Sequence, residues 1–263
     1  MFHPPIVLTV AGSDSSGGAG IQADLKTFAA HGCYGMSAVT ALTAQNTRGV
    51  AAVHVPPADF LAAQLRSVLT DFPPDAVKIG VLPDEDSVLV VAEALRGGAL
   101  RTGAPVVLDP VMVATSGAVL SDSGAAAATR RELFPLAALV TPNIPEAEAL
   151  SGRKIASEAD MEAAARKIGA PVLLKGGHLG GATDLLYVNG EAKWFRGEYF
   201  PCGEVHGTGC TLSSAVACRL AEGFPLPEAV RLAKDWLAGL LRERPDFGVP
   251  NGPLFHLNVG GKP

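Results

Sequence analysis

Two glycines and a cysteine stand together in His206-Gly207-Thr208-Gly209-Cys210, ahead of Thr211-Leu212-Ser213-Ser214-Ala215. Small residues that open a helical pattern leave backbone N–H groups free at the helix start, and those groups form an anion site. Such donors stabilise charge on a phosphoryl group in transit. Cys210 would sit in the same field, and a helix N-terminus lowers a thiol from its usual pKa of about 8.5. The expectation is a thiol able to act as general base toward an alcohol. A small buried hydrophobe is the plain alternative, but flanking glycines would pack a core poorly. Cys33, Cys202 and Cys218 lack such neighbours and read as structural.

Other polar residues follow apolar strand-length runs. Lys175-Gly176-Gly177-His178 follows Val172-Leu173-Leu174, where a lysine can reach phosphate or simply point to solvent. Asp109 follows Val106-Val107-Leu108, where magnesium and its waters would sit; an Asp-Pro turn is the bland reading. Asn143 and Glu146 follow another such run, three apart on one helical face. They suit metal-bound water, and equally a helix cap with its third-position acid. The loop from Gly12 to Gly20 matches neither a Walker A sequence nor GxGxxG, and is either a ligand-approaching turn or a flexible one. Asp24, just inside the next helix, reads as a helix-start carboxylate. Gln45 offers a donor and an acceptor, which match an aminopyrimidine edge or water. His31, His54, His178, His206 and His256 show no metal spacing and read as surface or capping residues.

These residues need a frame. Apolar runs at 6–10, 36–42, 76–82, 105–108, 136–140 and 171–174 alternate with helical patterns such as 21–31, 57–69, 84–95 and 158–168. That alternation predicts a mostly parallel sheet covered on both faces. Ligands then bind beyond the carboxyl ends of the strands. Residues 185–188 and 192–196 flank Asn189-Gly190, which predicts an antiparallel edge in the C-terminal third. Helices at 209–222 and 227–242 close the pattern. The 263 residues, 48% hydrophobic and 18% charged, suit one α/β domain over 1–263. A net charge of −5 disfavours nucleic acid. No apolar run is long enough to cross a membrane, and the cysteines form no CxxC pair, so a cytoplasmic setting is expected.

Taken together, the blocks resemble the hydroxymethylpyrimidine/phosphomethylpyrimidine kinases (ThiD type) of the ribokinase-like superfamily. They are Ala11 to Phe28, Thr40 to Thr47, Lys78-Ile79-Gly80, Leu108 to Met112, Thr141 to Ala147, Lys175 to His178 and His206 to Thr211. They run in family order over nearly the whole chain. The resemblance implies a three-layer α/β/α fold and transfer of the ATP γ-phosphoryl group to 4-amino-5-hydroxymethyl-2-methylpyrimidine, then to its monophosphate. It implies that Gln45 and Asp24 meet the pyrimidine, with Gly12, Ala19, Val81 and Val111 around it. Cys210 takes the place of the aspartate base of related sugar kinases, and Gly207, Thr208 and Gly209 form the anion hole. Lys175, Asn143 and Glu146 would meet ATP, and Asp109 and Glu146 the Mg²⁺ region, through water. A homodimer is also implied. Departures are Glu204-Val205 before His206, valine at 81 where methionine is frequent, and a loose C-terminal block 251–256. A pyridoxal kinase with a ThiD-like sequence and a catalytically silent pyrimidine-binding protein are the competing readings.

Overall fold

The computed structural model describes residues 3–98, 100–112, 117, 118, 120–177, 182–198, 200, 205–249 and 251–257. Nine strands form one sheet: β1 (Ile6–Asp14), β2 (Tyr34–Asn46), β3 (Gly49–His54), β4 (Ala76–Ile79), β5 (Val106–Leu108), β6 (Leu139–Val140), β7 (Val172–Leu174), β8 (Ala182–Val188) and β9 (Glu191–Gly197). Their order across the sheet is β3-β2-β1-β4-β5-β6-β7-β8-β9. The run from β2 to β7 is parallel, while β3 at one edge and β8–β9 at the other are antiparallel. The expected hairpin around Asn189-Gly190 is present, with Asn189 at φ 52°.

Strand residues alternate between the two faces, and the helices divide accordingly. Leu8, Val10, Val77, Ile79, Leu108, Val140 and Leu174 pack under α2 (Ala58–Asp71), α3 (Glu85–Arg96), α4 (Ser123–Ala128), α5 (Ile144–Ser151) and α6 (Glu158–Ile168). Val7, Ala76, Val107, Leu139, Leu173 and Leu186 pack under α1 (Gly20–Ala30), α7 (Thr208–Ala221) and α8 (Leu226–Arg242). This is the expected three-layer ribokinase-like architecture. No described helix is long and apolar enough to cross a membrane.

The structure departs from the sequence reading at the strand ends. β1 continues through Gly12 and Ser13 to Asp14, and β2 continues past Leu42 to Asn46. Gln45 therefore stands in a strand, not in a loop. A second hairpin, β2–β3, was not expected. Its turn is closed by Asn46, whose Oδ1 accepts from the N–H groups of Arg48 (2.9 Å) and Gly49 (3.2 Å), an Asx-type arrangement. The short apolar sequence Val50 to Val53 carries no strand-length signal of its own.

One strand position carries a charge into the layer between sheet and helices. The β1–β4 register sets Thr9 beside Lys78. Both face Asp24 of α1, whose Oδ2 accepts from Thr9 Oγ1 (2.6 Å) and Lys78 Nζ (2.9 Å) and whose Oδ1 accepts from Ser214 Oγ of α7 (2.7 Å). Lys78 and Asp24 are both fully buried. Removing one partner of a buried pair strands the other charge in low dielectric, at a cost of roughly 3–5 kcal/mol. Asp24→Ala should therefore lower unfolding free energy by about 3–5 kcal/mol, and pairing Asp24→Leu with Lys78→Met should recover most of it. Equal denaturation midpoints for Asp24→Ala and wild type would refute this.

Candidate active site

The carboxyl ends of the parallel strands and the start of α7 enclose a cleft of about 1490 Å³. Gly12, Ala19, Gln45, Val81, Val111, Asp109, Asn143, Glu146, Lys175, Gly207, Thr208, Gly209 and Cys210 all line it. The sequence-predicted site residues are thus brought together, with one exception. Asp24 is absent from the wall, since its two oxygens are taken up by Thr9, Lys78 and Ser214. These bonds give Asp24 a supporting position beneath the site. Lys78 lines the cleft in its place. His178 and Cys202 lie outside the described residues.

The first turn of α7 joins the two halves of the cleft. Gly207 has φ +83°, and a Cβ there would stand 1.9 Å from the carbonyl oxygen of Gly18. Glycine is therefore required on both conformational and steric grounds. At the other end of the turn, a Cβ on Gly209 would lie 3.2 Å from Lys175 Nζ and 3.6 Å from Asp109 Oδ2. Lys175 pairs with Asp109 Oδ1 at 3.0 Å, and Thr141 Oγ1 donates to the same oxygen at 2.9 Å. Although burial works against its charge, Asp109 and Glu146 hold the Lys175 ammonium above its usual pKa. The α7 backbone donors and a secured cation thus face one spot, as an anion such as phosphate requires.

Asn143 and Glu146 form the cap, and both halves of it are present. Asn143 Oδ1 accepts from the Glu146 N–H at 2.9 Å, and Glu146 Oε2 accepts from the Asn143 N–H at 2.8 Å. The cap also presents Glu146 to the cleft. Burial, aided by the Asp109 charge, pushes its carboxyl up to about 7 despite the pull of Lys175. Two acids that repel each other are short of positive charge, which suits Mg²⁺, an ion that keeps several waters and takes one or two carboxylates. Among the described residues no cluster of three His, Cys, Asp or Glu side chains could hold a metal by itself.

Cys210 departs from expectation. Burial first, then the charges of Asp24 and Asp109, push its thiol up to about 11, against the pull of Lys78 and the Gly20 N–H. The helix-start field does not overcome them. The resting group is a thiol.

The loop after β1 is not a loose turn. Burial alone would raise the Asp14 carboxyl, but bonds from His206, Ser16 and Ala19 hold it at about 2. Asp14 Oδ2 accepts from the N–H groups of Gly18 (3.0 Å) and Ala19 (2.8 Å) and meets His206 Nε2 at 2.8 Å. Ser15 Oγ donates to the Gln45 carbonyl (2.8 Å) and accepts from the Gln45 N–H (2.9 Å). His206 and His256 are buried, which corrects the surface reading. His256 Nε2 lies 2.9 Å from Thr211 Oγ1, so the C-terminal block braces the first turn of α7. Asp14, His206 and Lys78 were not singled out as site residues. The signal available for His206 was its place at the head of the glycine motif.

The remainder of the cleft is broad and amphipathic. Trp194, Phe195, Leu237 and Leu241 line it with Arg196 and Arg231. Also in its wall, Asp184 pairs with Lys234 and accepts from the Gly176 N–H at 2.9 Å, which anchors the turn that bears Lys175.

With the Cys210 thiol pKa raised to about 11, alkylation at this position should be slow at pH 7 to 8 and should accelerate tenfold per pH unit toward 11. The rate is read as the difference between wild type and Cys210→Ala. A plateau below pH 9 would contradict the assignment.

The phosphomethylpyrimidine kinase family model matches residues 14–255. The chain is 49% identical over 257 residues to a thiamine biosynthesis bifunctional protein ThiED of Geobacter sulfurreducens, an alignment covering 95% of this chain but only 52% of that protein. It therefore spans about half of that relative. It is 47% identical to a hydroxymethylpyrimidine/phosphomethylpyrimidine kinase of Streptomyces coelicolor, covering 96% of this chain and 94% of the relative. Among solved structures it is similar to pyridoxal kinase from Staphylococcus aureus in complex with AMP-PCP and pyridoxal, with TM-score 0.86 and 35% identity over 97% of this chain and 94% of that one. The glycine-rich start of α7, the strand-end acids and lysine, and the match over most of the sequence lead to one conclusion: this chain belongs to the phosphomethylpyrimidine kinase family.

Proposed function

We propose that this chain transfers the γ-phosphoryl group of ATP to the hydroxymethyl group of 4-amino-5-hydroxymethyl-2-methylpyrimidine, and then to its monophosphate. The observation that carries this reading is the first turn of α7. Gly207 abuts the Gly18–Ala19 backbone and follows His206, which lies 3.4 Å from the Gln45 amide at the end of β2, while Gly209 abuts Lys175 and Asp109. Cys210 lines the same cleft, so an acceptor held against Gln45 has its hydroxyl beside both the thiol and the anion site.

In this reading Gln45 binds the aminopyrimidine edge, with Gly12, Ala19, Val81 and Val111 forming the walls. Lys175 and the N–H groups of Gly207, Thr208 and Gly209 hold the moving phosphoryl group. Phosphoryl transfer passes through a loose transition state, so the alcohol keeps its proton until late. A resting thiol at Cys210 is compatible with that timing: it positions the hydroxyl and, as the new O–P bond forms, takes the hydroxyl proton on Sγ while giving its own S–H proton to an oxygen of the phosphoryl group. Asp109, Asn143 and Glu146 would hold Mg²⁺ through its waters, and the ion would neutralise phosphate charge. The single sheet supports one domain over 1–263. β3 is an edge strand with exposed Ala51, Ala52 and Val53, and Val53 also lines the cleft. Pairing along this edge in a homodimer would cover unpaired backbone groups. Cys33, Cys210 and Cys218 are free thiols, which suits a cytoplasmic setting, and the net charge of −5 argues against a nucleic-acid partner.

The similarity to a pyridoxal kinase structure supports a second reading, since pyridoxal also carries a hydroxymethyl group on a heteroaromatic ring. Turnover with Mg²⁺-ATP should be measured with hydroxymethylpyrimidine, its monophosphate and pyridoxal. The highest kcat/KM is expected with the pyrimidines, and no turnover on either would sink the leading reading. Cys210→Ala should lower kcat by roughly 10²–10⁴-fold, with ATP affinity unchanged. A near-normal kcat would leave catalysis to the anion site alone.

A further inference from the structure

The wall around Gln45 contains donors and acceptors whose shortest contacts set one arrangement of protons. Asp14 is an ionised carboxylate held at about 2 by its hydrogen bonds, against burial, and it can only accept. His206 Nε2 lies 2.8 Å from Asp14 Oδ2, so Nε2 carries a hydrogen directed at Asp14. This holds whether the ring is neutral or charged. Thr43 Oγ1 lies 2.9 Å from the Ser13 carbonyl oxygen, which also only accepts, and 3.2 Å from the Gln45 amide, so the shorter contact takes the hydroxyl proton.

The Gln45 side chain sits between these two groups. One end of its amide is 3.4 Å from His206 Nε2 and the other is 3.2 Å from Thr43 Oγ1. With NH₂ toward His206, two donors would face each other. With Oε1 toward Thr43, two acceptors would do the same. A half-turn of the amide, which leaves its shape unchanged, removes both conflicts. Oε1 then accepts from His206 Nε2–H, which it shares with Asp14, and the NH₂ group donates to Thr43 Oγ1. The Gln45 backbone cannot shift to evade this choice, because Ser15 holds both its N–H and its C=O.

We propose that Asp14 and His206 are positioning residues that fix the Gln45 amide with its oxygen on the His206 side, making the site selective for a ring edge that presents an exocyclic donor beside a ring acceptor. This rests on the pyrimidine-kinase reading and deepens it. One amide lone pair and one amide N–H remain for a ligand. A 4-aminopyrimidine offers its amino N–H to the lone pair and its ring N3 to the N–H. A 4-oxo ring offers the same two functions in reversed order. It cannot turn over to correct this, because its hydroxymethyl group would leave Cys210. The amide cannot turn either without losing its bonds to His206 and Thr43. The polar residues of the first glycine-rich loop therefore serve recognition rather than phosphate binding.

The test compares binding of 5-hydroxymethyl-2-methylpyrimidine carrying either a 4-amino or a 4-oxo group. Wild type should prefer the amino form by roughly 10- to 100-fold, the cost of leaving buried polar groups mismatched. In His206→Phe and in Thr43→Val that preference should fall to within about threefold, while the Kd for AMP-PCP stays near the wild-type value as a check on folding. Nitrogen NMR of the imidazole should show His206 protonated at Nε2. An unchanged preference in a variant that still binds AMP-PCP, or a neutral His206 protonated only at Nδ1, would overturn the proposal. If wild type bound neither ring, the pyrimidine reading would fail, and the imidazole spectrum would still decide the amide's orientation.

Discussion

A single buried carboxylate holds this site in shape. Asp24 ties α1 to β1, β4 and α7 through Thr9, Lys78 and Ser214, and each of its oxygens is satisfied. Burying a lysine and an aspartate is costly unless the pair is close and fully bonded, so these four elements have one mutual arrangement that keeps both charges at ease. α7 is buried around most of its circumference, and its first turn carries the anion site. The placement of that turn thus depends on a fully buried ion pair whose lysine forms part of the cleft floor.

Above that pair the charges alternate in sign. Asp24 lies beneath the cleft and pairs with Lys78 in its wall, and Asp109, Lys175 and Glu146 line it further along. The arrangement keeps each cation charged in spite of burial. It also explains why Cys210 resists ionisation: Asp24 and Asp109 add to the effect of burial, and Lys78 alone does not offset them. A thiol in this field suits a reaction in which the proton leaves late. It would suit poorly one that needs a thiolate nucleophile at rest.

The two glycine-rich loops differ in what their backbone donors meet, because their surroundings differ. In the second, no carboxylate of the described residues accepts from the backbone N–H groups that open the helix, and Gly209 lies against Lys175. In the first, the N–H groups of Ser16, Gly18 and Ala19 are taken up by Asp14. Glycine content alone does not distinguish a phosphate loop from a recognition loop. What distinguishes them is whether a carboxylate of the chain already occupies the donors.

Much of the molecule was legible beforehand. Strand–helix alternation with continuous apolar runs leaves a parallel sheet covered on both faces as the natural way to bury those strands, and polar residues after each run then gather at one end. Hence Asp109, Asn143, Glu146, Lys175 and Gly207 to Cys210 could be named from local pattern alone. The β2–β3 hairpin could not, because its strand is short and exposed and owes its form to Asn46 closing the turn. Nor could the fate of Asp24, Cys210, Asp14 and His206. Whether Asp24 meets a ligand or a lysine, and whether Cys210 gains or loses acidity in a helix-start field, depends on charges far off in the chain. His206 and Asp14 are separated by 192 residues and meet at 2.8 Å. The chemistry of the glycine motif was determined by its residue types, but the protonation state of its cysteine and the orientation of Gln45 were decided only when the fold brought distant charges and hydrogen-bond partners within a few ångströms of each other.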